Sequence, residues 1–183
     1  MIPMRKFVIG ILVAATLFSS GMVLASQSAK HQAQELRRSK LSLIEAVIAA
    51  EKEDGGRATS AEFNFERGNP AVFQVKVLSA DGKKLTRYDI DPRTGRVQDT
   101  HNEVLEKLLS RITPDSLRLT FTTLSHAVAI AQQHSGGHAV SADVDRHGDH
   151  LEFTVETVKL DGSSQKLKID SASGNVLSED TDK

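Results

Sequence analysis

The chain has 183 residues, with 23 basic and 24 acidic side chains and a formal net charge of -1. This near-balance argues against a dedicated nucleic-acid-binding protein, which needs an excess of Lys and Arg to face phosphate. The chain has no cysteine, which excludes disulfides, thiolate metal sites and cysteine nucleophiles. Its length accommodates one ordinary domain or two small ones.

The first 25 residues have the three-part pattern of a secretory signal peptide. Arg5 and Lys6 precede an apolar run over residues 7–18, and small side chains stand at positions -3 and -1 before a predicted cleavage after Ala25. The mature chain then begins at Ser26. We expect it to be periplasmic in a bacterial envelope, or secreted, without stable insertion into a membrane. The alternative is an uncleaved N-terminal helix that anchors the protein, because the apolar region is nearly long enough to span a bilayer.

The rest of the chain consists of two copies of one α-β-β-β pattern, which predicts an α+β fold. A polar lead-in at 26–40 precedes a first unit at 41–98, a linker at 99–121 and a second unit at 122–183. Each unit opens with a short apolar helix that ends at a double glycine, and alternating strands follow. This alternation predicts an antiparallel sheet with one buried face, which the helix covers.

Local signals support each part of the unit. Ser42 and Glu45 have the spacing of a capping box at the start of the first helix. Gly82 and Gly162, each preceded by Asp, predict tight hairpin turns with positive φ. Because a unit of this size buries little surface, we expect the two copies to pack together.

The ends of the units and the linker predict further short elements. Stubs of a fourth strand are expected at Val97 and Val176. Apolar residues within 104–112 recur on one face of a helix, and residues 117–121 alternate as in a strand.

The pattern resembles the PepSY domain family. The resemblance lies in alternating strands, an Asp-Gly hairpin and a closing (I/V)-D-x-x-(T/S)-G-x-V turn, within VFQVKVLSADGKKLTRYDIDPRTGRV and LEFTVETVKLDGSSQKLKIDSASGNVL. It covers both units and implies a cystatin-like fold, with a helix on an antiparallel sheet. It also implies binding or inhibition, often of peptidases outside the cytoplasm. No peptidase domain follows the second unit, so a proenzyme is not expected.

Motifs of catalysis are missing from the sequence, while histidines are concentrated in one unit. The chain has no P-loop, G-x-G-x-x-G or G-x-S-x-G pattern, so we predict that it is not an enzyme and has no cofactor. Five of its seven histidines lie in the second unit. Four of them could converge on a Zn, Cu or Ni ion: His134, His138, His147 and His150. The alternative is that these are solvated histidines in polar loops.

These observations favour an exported, non-enzymatic binding or regulatory protein whose partner is a peptidase or an envelope sensor. An extended segment of the partner could add to an open edge of the predicted sheet through main-chain hydrogen bonds. The linker helix or the other unit could instead cap those edges. A periplasmic metal-binding protein that uses the second-unit histidines is the alternative function, and a weak peptidase or other enzyme is the third.

Overall fold

A computed structural model describes residues 30–65, 69–105, 112 and 114–182. The predicted signal peptide at 1–25 lies outside the described residues. Within them the chain is a mixture of helices and antiparallel strands, so the α+β fold class predicted from the sequence is confirmed. No helix in the described part of the chain is long and apolar enough to cross a membrane.

The elements follow one another in the order that the repeat predicts. The described helices are α1 (residues 30–38), α2 (Leu43–Asp54), α3 (Pro114–Arg118) and α4 (Leu124–Ser135). The strands of the first unit are β1 (Arg57–Asn64), β2 (Val72–Leu78), β3 (Leu85–Ile90) and β4 (Val97–Asn102). Those of the second unit are β5 (His138–His147), β6 (His150–Val158), β7 (Ser164–Asp170) and β8 (Val176–Asp182).

The described strands of both units form one continuous antiparallel sheet, in the order β4-β3-β2-β1-β5-β6-β7-β8. The first strand of each unit joins the two halves, and Ala61 lies opposite Ala142 at the centre of the β1–β5 pairing. The two units therefore cover each other's inner edge, which is one of the two arrangements that the sequence left open. Only β4 and β8 stand at the outer edges of this sheet.

The two units repeat each other down to their irregularities. The β1–β2 register shifts between Ala58 and Ser60, and the β5–β6 register shifts between Ala139 and Ser141. A second shift falls at corresponding places in the β3–β4 and β7–β8 pairs. Because a bulge bends its strand and increases the local twist, matched bulges curve both halves of the sheet alike.

One hydrophobic core spans both units, because α2 and α4 pack on the same sheet and against each other. Small side chains on both helices permit the close approach, and all of these are fully buried: Ala46, Val47, Ala50, Ala127, Val128 and Ala131. Phe63 and Phe73 pack with ring centroids 5.1 Å apart at an interplanar angle of 52°. The tilted contact is a favourable geometry for aromatic pairs.

The helix ends confirm the predicted capping signals. The Ser42 N–H donates to Glu45 Oε2 over 2.7 Å, and the Glu45 N–H donates to Ser42 Oγ over 3.3 Å, which completes the capping box. The bond from the Ser42 backbone N–H also lowers the pKa of the Glu45 carboxyl. Gly55 and Gly136 end the two helices with φ of 70° and 67°.

The predicted hairpin turns are also confirmed. Gly82 and Gly162 have φ of 70° and 90°, a region that glycine enters without a steric penalty. Asp161 Oδ1 accepts hydrogen bonds from the N–H and Oγ of Ser163, at 2.9 and 2.7 Å. The acid before each glycine therefore closes the turn through its side chain, while the glycine supplies the backbone conformation.

The lead-in contributes a helix to the core. In α1, Ala33 and Leu36 are buried, and Gln32 Nε2 donates to the Phe63 carbonyl over 3.2 Å. Ser39 Oγ then donates to the Pro92 carbonyl over 2.9 Å. These contacts hold the lead-in against the end of β1 and the turn after β3.

Two sequence predictions differ from the structure. The fourth strands are longer than stubs, with six residues in β4 and seven in β8. The strand predicted at 117–121 is wrong, because this region begins with helix α3, in which Leu117 is buried, and Phe121 is left 88% exposed. Pro114 opens α3, where its missing N–H has no helical partner to lose. Most of the helix predicted at 104–112 lies outside the described residues.

Candidate functional site

The outer edges of the sheet are the positions where backbone groups are open to a partner. Among the described strands, β4 pairs only with β3 and β8 pairs only with β7. A strand that pairs on one side leaves alternate N–H and C=O groups pointing outward. These groups can bond to an extended segment of another protein.

The hydrogen bonds of β4 identify which of its residues face outward. The Glu103 N–H donates to the Leu85 carbonyl over 2.9 Å. Inward bonding alternates along an antiparallel strand, so His101 bonds to β3, whereas Thr100 and Asn102 present their backbone groups away from the sheet.

The repeat assigns the corresponding residues of β8. Leu167 lies opposite Glu179 in β7–β8, as Tyr88 lies opposite Thr100 in β3–β4. By this correspondence Glu179 and the residue two positions later, Thr181, present their N–H and C=O groups outward. Both outer edges therefore have the same outward backbone pattern, but on β4 the Thr100 N–H already donates to Asp99 Oδ1 over 2.7 Å.

Charged side chains near β4 are already paired with one another. Arg87 Nε donates to Asp89 Oδ1 over 3.1 Å, and Arg87 Nη1 lies 3.3 Å from Glu103 Oε1. Lys76 Nζ lies 3.7 Å from Glu103 Oε2, and His101 Nε2 lies 3.7 Å from Asp89 Oδ2. Partly exposed pairs of this kind add at most about 1 kcal/mol each, but together they leave little unbalanced charge beside β4.

The side chains of β8 alternate between the two faces of the sheet. On the helix side, Glu179 Oε2 lies 2.9 Å from His134 Nε2, and Gln165 Nε2 donates to Glu179 Oε1 over 2.8 Å. On the other face, Asp180 lies opposite Lys166 of β7. Both acidic side chains are exposed, so they are accessible to an added strand.

An ion pair joins two neighbouring strands of the second unit. Lys168 Nζ donates to Glu152 Oε1 over 2.7 Å, and only 10% of the Glu152 side chain is exposed. This hydrogen bond raises the pKa of the Lys168 ammonium. The pair joins β6 to β7 and does not include the acidic residues of β8.

The structure separates the four histidines predicted as metal ligands. His134 lies at the end of α4 and His138 begins β5, whereas His147 and His150 pair across the turn at the far end of β5. At about 3.3 Å per residue, β5 holds His138 and His147 roughly 30 Å apart. No three His, Asp or Glu side chains of the described residues come together as a metal-binding group. The strand thus divides the four into two pairs, and metal binding by either pair stays a prediction.

A cleft of about 550 Å³ lies over the junction of the two units. Its lining combines charged and apolar side chains, including Lys76, Asp143, Asp145, Val144 and Ile112. No signal in the sequence predicts this cleft. Its walls come from strands of both units and from the linker, so no local motif marks it.

Two helix-on-sheet units, fused through their inner edges and open at both outer edges, define a tandem α+β repeat protein. The family model PepSY, described as the peptidase propeptide and YPEB domain, matches residues 40–101 and 123–180. The chain therefore belongs to the PepSY family, as a tandem repeat. Domains of this family are linked to propeptide or inhibitor-like roles toward peptidases.

Two solved structures resemble the chain. A candidate lipoprotein from Clostridium difficile 630 is 18% identical, with a TM-score of 0.43, over 74% of this chain and 88% of that one. The YpmB protein from Bacillus subtilis is 14% identical, with a TM-score of 0.33, over 75% of this chain and 96% of that one. Among curated proteins, none matches the chain significantly.

Proposed function

We propose that this protein is an exported, non-catalytic module that binds and regulates a peptidase or an envelope sensor. An extended segment of the partner adds to an outer edge of the eight-stranded sheet. The observation that carries the proposal is the pair of outer strands, β4 and β8, each bonded on one side only among the described strands. Membership of the PepSY family supports a peptidase as the class of partner.

Polar side chains on both edges fit a binding role for them. β4 has the sequence VQDTHN and β8 has the sequence VLSEDTD, and most of their residues are exposed. Charged and polar edge residues oppose indiscriminate pairing with other sheets. Such an edge stays open in solution and accepts only a segment whose side chains complement it.

A proline scan tests strand addition, because proline removes a backbone donor without adding charge. Thr100→Pro and Thr181→Pro each remove one outward N–H, and Thr100→Ala and Thr181→Ala are matched controls that keep it. The partner is first captured from the envelope fraction and its binding to each folded variant is then measured. We expect one proline variant to lose binding while its alanine control retains it. Binding that survives both proline substitutions contradicts strand addition.

Regulation of a peptidase is tested on the same captured partner. Addition of the wild-type protein should change the rate at which a captured peptidase cleaves a peptide substrate. The proline variant that loses binding should leave that rate unchanged. A rate that responds equally to both proteins contradicts a regulatory role for the edge.

Export is tested separately by the mass of the purified protein. If the signal pattern directs cleavage, the exported chain begins at Ser26. A full-length mass in the membrane fraction would contradict cleavage and support the anchored alternative.

Metal binding is a second candidate function, at the tip of the β5–β6 hairpin. His147 and His150 lie opposite each other across the turn and both are exposed. Neutral imidazoles are ligands for Zn, Cu and Ni. Two neighbouring histidines supply part of a coordination shell, and other ligands would have to complete it.

A further inference from the structure

We propose that β8 is the edge that binds the partner, and that the bound segment is an extended strand with two consecutive basic residues. This inference rests on the proposed function, strand addition, and adds to it the choice of edge and the chemistry of the occupant. The charges on the two outer strands carry the choice.

The two edges differ in charge although they share one backbone pattern. β8 contains three acidic residues, Glu179, Asp180 and Asp182, and no basic residue. β4 contains one acidic residue, Asp99, and one histidine. The ion pairs of Arg87 further offset the negative charge beside β4. Lys166 opposite Asp180 offsets part of the charge of β8, but β8 still carries more negative charge than β4.

The positions of Glu179 and Asp180 define the charge pattern of the occupant. Successive residues of a strand point to opposite faces of the sheet, so Asp180 lies on the face opposite to that of Glu179. Glu179 faces α4, where it meets His134, and Asp180 lies opposite Lys166. An added strand that complements both carboxylates needs one basic side chain on each face. Two consecutive Lys or Arg residues meet that requirement.

A row of alternating charges ends at Asp180. Glu156 of β6 lies opposite Lys166 of β7, and Lys166 lies opposite Asp180 of β8. Opposite charges on directly facing residues favour strand pairing, and like charges oppose it. A basic residue on the added strand extends the row by one position.

The same charges disfavour a second copy of the chain as the occupant. Pairing β8 with β8 of another molecule would bring the acidic run VLSEDTD against itself. Like charges across a strand pair are destabilising. The edge thus opposes self-association and favours a basic partner.

Capped synthetic peptides test the inference on the purified protein. The probe alternates Thr and Val around a central Lys-Lys pair, and the control peptide has Glu-Glu at the same place. Affinity is measured by fluorescence anisotropy, and the bound edge is located by protection of backbone amides from hydrogen exchange. We expect the Lys-Lys peptide to protect amides of β8, to bind more weakly as salt rises, and to exceed the Glu-Glu peptide in affinity.

Protein variants separate charge from backbone effects. Replacing both acids in the double variant Glu179→Gln, Asp180→Asn should weaken binding of the Lys-Lys peptide about twofold to thirtyfold, from two cross-strand charge pairs. Asp99→Asn on β4 is the matched control and should leave affinity unchanged. Thr181→Pro should remove the amide protection while the sheet stays folded.

Three results would overturn the inference: no binding of the Lys-Lys peptide to β8, protection of β4 instead, or equal affinity for the double variant and the wild type. The captured partner distinguishes this failure from failure of the proposed function. If Thr100→Pro alone abolishes its binding, strand addition stands and the choice of β8 is wrong. If binding survives both proline variants, the proposed function fails as well.

Discussion

Gly56 is the glycine at which one added methyl group should be most destabilising. A Cβ at Gly56 would lie 2.1 Å from the Leu78 carbonyl oxygen and 2.9 Å from Val77 Cγ1. Leu78 belongs to β2 and is held in register opposite Arg57, so its carbonyl cannot move without distorting the β1–β2 pairing. The equivalent Gly137 is less crowded, since its Cβ would lie 3.0 Å from the nearest atom, the Val158 oxygen.

The expected cost follows from these distances. Gly56→Ala should lower the free energy of unfolding by about 3 kcal/mol or more, at the upper end of overpacking. Gly137→Ala should cost about 1 kcal/mol, because its neighbours need to shift by only a few tenths of an ångström. Gly55→Ala is a control for backbone strain alone, because Gly55 has φ of 70° and nothing within 4 Å of its Cβ. It should cost about 1–2 kcal/mol.

Urea denaturation followed by far-UV circular dichroism measures these differences. The midpoint should fall furthest for Gly56→Ala, with Gly55→Ala and Gly137→Ala closer to wild type. A Gly56→Ala midpoint equal to that of Gly137→Ala would show that the end of α2 does not pack on β2 as closely as the structure has it.

Three further predictions concern turns, pH and metal. Gly82→Val and Gly162→Val should each lower the free energy of unfolding by about 1–3 kcal/mol, from backbone strain at positive φ; unchanged denaturation midpoints would contradict it. The Arg93 N–H lowers the pKa of Asp91, and the Ser163 hydroxyl lowers that of Asp161, from 3.8. The two ionised carboxylates therefore stabilise the folded state above about pH 4, and this stabilisation is lost as pH falls through their lowered pKa values. The free energy of unfolding should accordingly fall less between about pH 5 and about pH 2 in the Asp91→Asn and Asp161→Asn variants than in the wild type. Metal binding is tested by calorimetry with Zn and Cu on the wild type and on a variant in which all four predicted histidine ligands are changed to Ala. We expect only the wild type to bind metal, and equal heats of binding for the two proteins would contradict the predicted site.

The amino-acid sequence by itself determined the elements of each unit. Ser42 and Glu45 set the start of α2, since a capping box acts within one helical turn. Gly82 and Gly162 set the hairpins, because few other residues adopt their φ without strain. Alternation assigned Phe73 to the buried face of β2, as the structure has it. Each of these signals acts between residues close together in the chain, so it can be read without the fold.

Other signals in the sequence have a meaning that depends on neighbours far along the chain. The alternation at 117–121 resembles a strand, but a strand needs a partner, and this segment contains the end of α3 followed by irregular chain. The histidines cluster in the sequence, yet the extended length of β5 keeps His138 away from His147. Proximity in sequence becomes proximity in space only when the intervening element folds back.

Tertiary structure alone decided which edges of the two half-sheets meet. Every strand carries the same backbone donors and acceptors, so hydrogen bonding does not distinguish an inner edge from an outer one. The choice follows from packing: joining β1 to β5 brings α2 and α4 together over one core, with Ala61 opposite Ala142 at the seam. That pairing also leaves β4 and β8 at the outer edges of the sheet. Burial of apolar surface between the two helices selects this topology, and because it needs both units, the sequence of one repeat does not determine it.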